Sequence, residues 1–62
     1  MHPSKVKIGA LVKVPVYGLA QVMKFFAPAF IGVVVIEGKD SGTWLYLRGL
    51  DLERTEIIDD NS

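Results

Sequence analysis

No segment of this 62-residue chain holds apolar side chains at helical spacing for long. It breaks instead into short β-compatible runs punctuated by glycine and proline. Lys5-Val6-Lys7-Ile8 alternates polar and apolar, as a strand with one wet face does, and the alternation resumes at Val12-Lys13-Val14. Pro15-Val16-Tyr17-Gly18 reads as a turn. Leu19 to Phe26 is a second run, with Ala20, Val22 and Lys24 on one face and Gln21, Met23 and Phe25 on the other. Ala27-Pro28-Ala29 ends it. Phe30 to Ile36 is dense in β-branched residues, which suit a buried strand.

Residues 37–42 form a charged, glycine-rich turn. Thr43 to Arg48 alternates again, Leu45 and Leu47 pointing one way and Trp44, Tyr46 and Arg48 the other. Gly49 to Leu52 reads as one tight helical turn, and Glu53 to Ile58 as a last strand. Five short strands at intervals of roughly 8–12 residues predict an all-β fold, a small five-stranded barrel. Closure would also remove sheet edges that invite aggregation on so apolar a chain. The expected organisation is a flexible start over 1–5, one barrel over 6–58 and a disordered acidic tail over 59–62.

A chain of this length buries only about 60% of its unfolded surface. Without cysteine it has no disulfide to help, so its half-apolar composition must supply the core. Self-association would bury more, which keeps a weak homodimer open. His2 is the lone histidine, and with no cysteine no Cys/His metal site is expected. The longest uncharged run, Phe25 to Ile36, falls short of the about 20 residues of a membrane helix. Lys13 interrupts any secretory-type apolar stretch, and the expectation is a cytoplasmic protein without membrane contact.

The zero net charge conceals a division. Residues 1–36 carry four lysines and no acid, whereas residues 37–62 carry seven acids against three bases. Such asymmetry points toward an anionic partner. Lys5, Lys7, Lys13 and Lys24 are candidates to meet phosphates or an acidic protein surface; equally, they are the solvated face of edge strands. Trp44, Tyr46 and Arg48 can stack on bases, anchor a protein interface or simply cover the fold. Asp51, Glu53 and Glu56 have no nucleophile, histidine or metal-ligand set beside them in sequence, and capping and solvation account for them. No catalytic residue and no cofactor is expected.

The order of these features resembles the SH3-like barrels of the Tudor, KOW and related classes. Gly9-Ala10-Leu11-Val12-Lys13-Val14 leads through Tyr17-Gly18 to Ala20-Gln21-Val22. Then come Val33 to Gly38, Trp44-Leu45-Tyr46-Leu47 and Leu50-Asp51-Leu52-Glu53. The resemblance covers about residues 6–58 and implies a Tudor-like barrel with a one-turn helix before its last strand. The whole chain, to its Asp-Asp-Asn-Ser end, is also similar to the Prochlorococcus/Synechococcus family of small hyper-conserved proteins. That likeness implies a cytoplasmic adaptor contacting RNA or translation-associated proteins, of the ribosomal or aminoacyl-tRNA synthetase type. The alternative is a structural protein–protein subunit or homo-oligomer with no nucleic-acid role.

Tudor domains that read methylated residues use a cage of several aromatics. Tyr17 occupies the loop where such a cage begins, but residues 38–42 offer no aromatic wall. Phe25, Phe30 and Trp44 would serve only if the fold sets them beside Tyr17. Type II dihydrofolate reductases are short barrels that catalyse with Val-Gln-Ile-Tyr on one strand. The matching stretch here, Trp44-Leu45-Tyr46-Leu47, lacks the glutamine, so an enzymatic role is not expected.

Overall fold

A computed structural model describes residues 6–60 of the protein. Its elements are β1 (Leu11–Val14), β2 (Gly18–Ala27), β3 (Phe30–Val35), β4 (Trp44–Arg48), α1 (Gly49–Arg54) and β5 (Glu56–Asp59). They form one antiparallel sheet of five strands in the order β4-β3-β2-β1-β5. The all-β class and the short helix before the last strand are as the sequence predicts. The only helix among the described residues is six residues long, and none is long and apolar enough to cross a membrane.

The core is aliphatic and lies on one side of the sheet. Val12 and Val14 of β1, Ala20 and Val22 of β2, Ile31 and Val33 of β3, and Leu47 of β4 meet there, joined by Val6, Ala10 and Leu52. β-branched residues dominate because they pack well on a pleated surface and lose little freedom in doing so. Thr55 is the buried polar residue; its hydroxyl donates to the Asp51 carbonyl at 2.7 Å, closing the end of α1.

Three parts differ from the sequence reading. The sheet is not closed: β4 and β5 are its two edges and do not pair. Between them α1 buries Leu52 in the core, so a helical turn rather than a strand ladder covers that side. The alternating Val6-Lys7-Ile8 is not a strand. Ala10 N–H donates to the Lys7 carbonyl at 3.0 Å and Gly9 takes a φ of 94°, so this stretch turns before β1 begins. Finally Asp59, assigned by sequence to the tail, stands opposite Leu11 in β5. The expected flexible start over 1–5, Lys5 included, lies outside the described residues.

The β1–β2 turn carries strain. Tyr17 N–H donates to the Val14 carbonyl at 3.2 Å, with Pro15 and Val16 at the turn's centre and Val16 at a φ of 77°. Proline followed by a positive φ is the type II pattern, which calls for glycine at the second position. A β-branched residue there costs about 1–3 kcal/mol. Val16→Gly removes that strain and gives back about 0.5–1 kcal/mol in chain entropy. The expected net effect is a gain of about 1 kcal/mol, read as a higher urea midpoint; an unchanged or lower midpoint contradicts it.

Candidate functional site

The outer face of β2, β3 and β4 gathers four aromatic rings and two cations. On β4 the unbroken alternation puts Leu45 and Leu47 toward the core and Trp44, Tyr46 and Arg48 outward. On β3 it puts Ile31, Val33 and Val35 inward, leaving Phe30, Gly32 and Val34 outward. On β2 the register shifts between Val22 and Lys24, which pair with Val33 and Gly32 respectively. This bulge at Met23 inserts one residue and reverses the parity at Lys24 and Phe25, and a second shift follows between Phe25 and Ala27. Lys24 therefore does not share the buried face of Ala20 and Val22, as strict alternation predicts. It is exposed beside Gly32, and Phe26 reaches the outer face with it.

The rings form a continuous cluster. Phe26 lies 5.1 Å from Phe30 and 5.7 Å from Tyr46, and Phe30 lies 6.4 Å from Tyr46, all centroid to centroid and tilted or edge-on. Such distances and tilts are those at which the quadrupoles of neighbouring rings attract. Gly32 is the floor. A Cβ placed there would sit 3.0 Å from Phe26 Cε2 and 3.3 Å from Trp44 Cζ3, so the two rings close over the glycine from opposite sides. Phe26, Trp44 and Tyr46 remain 44%, 47% and 59% exposed, which leaves ring surface open to a ligand.

Cations frame this surface. Lys24 Nζ lies 5.1 Å from the Phe26 centroid, and the Arg48 guanidinium carbon 5.8 Å from that of Phe30. Both are within cation–π reach, which holds the two charges against the rim of the cluster.

Of the eight residues singled out in the sequence, the fold brings four together here: Lys24, Trp44, Tyr46 and Arg48. Lys13 stands on β1 opposite Glu56 of β5, two strands from the Gly32 floor. Lys7 is exposed in the turn before β1. Tyr17 lies at the β1–β2 turn, apart from Phe30, Phe26 and the cations that frame them. Lys5 lies outside the described residues. The sequence reading named no role on this face for Phe26 or Gly32. Period-two counting could not find Phe26, because the bulge at Met23 shifts the count; for Gly32, a glycine within a β-branched run was the available signal.

Tyr17 instead borders an open cleft of about 440 Å³. The β1–β2 turn forms one wall, residues 45–47 of β4 another, and Asp51 and Arg54 of α1 the third. The cleft lies beside β4, one of the two edges of the open sheet.

No protein-family model, curated protein or solved structure matches the chain.

Proposed function

We propose that the protein is a non-catalytic binding module whose outer sheet face contacts single-stranded RNA. The carrying observation is the four-ring cluster over Gly32, framed by Lys24 and Arg48. Unstacked bases land on exposed aromatic faces, and cations at the rim meet the phosphates that the bases trail. An open sheet face carrying such rings suits single strands, whose bases are free to splay, better than a duplex. Lysine and arginine supply only two charges here, so the contact is weak and oriented rather than tight.

The strand order with α1 before β5 supports an SH3-like, Tudor-like reading of the open sheet. On the family resemblance, the module is a cytoplasmic adaptor touching RNA or translation-associated proteins. A second reading is a protein-interface subunit, favoured by the same cluster, since Trp, Tyr and Arg are the residues enriched at interface hot spots. In that reading a second copy or a partner subunit covers the rings.

Trp44 is the only tryptophan, so its fluorescence reports this face directly. A single-stranded oligoribonucleotide is expected to quench it. Two phosphate contacts predict a slope of log K against log salt of about −1.4. Absence of quenching at low salt would defeat the RNA reading, whereas quenching on raising protein concentration alone favours the second.

Gly32→Ala gives a graded test. The added methyl must displace the Phe26 and Trp44 rings, which are free to swing outward because both are half open. Binding is expected to fall several-fold while the urea midpoint moves by less than about 1 kcal/mol equivalent. Unaltered RNA affinity would mean that the rings over Gly32 do not form the platform.

A further inference from the structure

The face that carries the rings has a one-sided polar chemistry. β2, β3 and β4 contain no carboxylate, asparagine, serine, threonine or histidine. Their polar side chains are Gln21, Lys24, Trp44, Tyr46 and Arg48. Lysine, arginine and the indole N–H donate hydrogen bonds and accept none. Glu37 and Asp40 lie in the loop beyond the Trp44 end of the face, and the acids from Asp51 onward belong to α1, β5 and the chain after it.

Discrimination among nucleic acids calls for more than donors. RNA differs from DNA at the 2′-hydroxyl, whose proton needs an acceptor to be read. The amino groups of adenine and cytosine need one too. Two side chains on the face can accept. Gln21 stands in the cross-strand row of Val34 and Trp44, two rows from that of Phe30 and Arg48. Its amide is tied back, donating to the Gly9 carbonyl at 3.3 Å. The Tyr46 hydroxyl donates as well as accepts, so it suits a ribose and a deoxyribose strand alike. Stacking carries the contact, and every base has a ring face to offer.

We infer that the aromatic face selects unpaired bases without selecting sugar or sequence, and takes single-stranded DNA as readily as RNA. The inference rests on the RNA reading above and widens its ligand to any single strand. Either backbone sets the same phosphates against Lys24 and Arg48, so the two salt slopes coincide at about −1.4. Base preference follows stacking strength, with purines ahead of pyrimidines.

The probes are hexanucleotides of one mixed sequence made as RNA and as DNA, their duplexes, and permuted sequences of equal base composition. Each is titrated into the full chain with Trp44 fluorescence as the readout. RNA and DNA strands are expected to bind within about fivefold of each other, permutations likewise, and duplexes more weakly than either strand. Reading of base edges would instead separate permutations by about 5- to 150-fold per bidentate contact. Only the ligand varies, so no variant's folding enters the result. A preference beyond about fivefold for one sugar, or for one permutation, overturns the inference while leaving RNA binding standing. Duplexes that bind as tightly as single strands also overturn it. Quenching by no strand at low salt removes the face as a nucleic-acid site and the inference with it.

Discussion

Ile31→Ala is expected to leave most of the chain unfolded at room temperature. Ile31 is fully buried near the start of β3, between Phe25 of β2 and Leu47 of β4. Deleting three carbons from such a site costs about 2–5 kcal/mol, the lost transfer energy plus that of the cavity. Domains of this size rarely hold more than about 3–5 kcal/mol in all, and with no cysteine no disulfide makes up the loss. The result to look for is collapse of amide dispersion and a urea transition with no folded baseline. Ile58→Ala, on exposed β5, is the control and should shift the midpoint little. If Ile31→Ala keeps a normal transition, the core is not organised around β3.

Trp44→Ala should have the largest effect on binding while sparing the fold. The indole lies over Gly32 with about half its surface open, so its removal takes away a stacking platform and little of the core. Each aromatic–base stack is worth about 1–3 kcal/mol by alanine substitution. That corresponds to a loss of about 5- to 150-fold in affinity for a labelled oligoribonucleotide followed by anisotropy. Lys24→Ala, by contrast, removes one phosphate contact. It should weaken binding modestly and flatten the salt slope by about 0.7. A Trp44→Ala variant that binds as well as the parent excludes stacking on this face.

How much of this was readable in the sequence depended on where the backbone kept its parity. β4 was fully legible, because five alternating residues without a bulge fix both of its faces. The outward set Trp44, Tyr46 and Arg48 emerged directly. β2 was legible only to Val22: the extra residue at Met23 turns Lys24 outward, a second shift falls at Phe26, and nothing in local composition marks either. Val6-Lys7-Ile8 misled in the opposite way, since three alternating residues carry too little pattern to outweigh a turn at Gly9. Lys13 illustrates a different limit. Its exposure was predictable, but its neighbour across the strands, Glu56, is 43 residues away in sequence and is set by β1–β5 pairing. Whether β4 and β5 meet is likewise a long-range outcome, decided by how α1 seats Leu52 in the core.

The division of charge along the chain becomes local in the fold. Lys24 joins Arg48 around the rings, while Asp51 stands on the wall of the cleft. The two surfaces adjoin at Tyr46 and differ in chemistry, one aromatic and cationic, the other aliphatic with Asp51 and Arg54 on its α1 wall.

Mapping amide shifts on the full chain with a short single-stranded oligoribonucleotide at low salt tests the central claim most directly. Lys24, Phe26, Phe30, Gly32, Trp44, Tyr46 and Arg48 should move together, with Val16 and Asp51 still, and the shifts should shrink as salt is raised. Silence across those seven residues, or movement confined to Val16, Tyr17, Asp51 and Arg54, would contradict an RNA-binding sheet face.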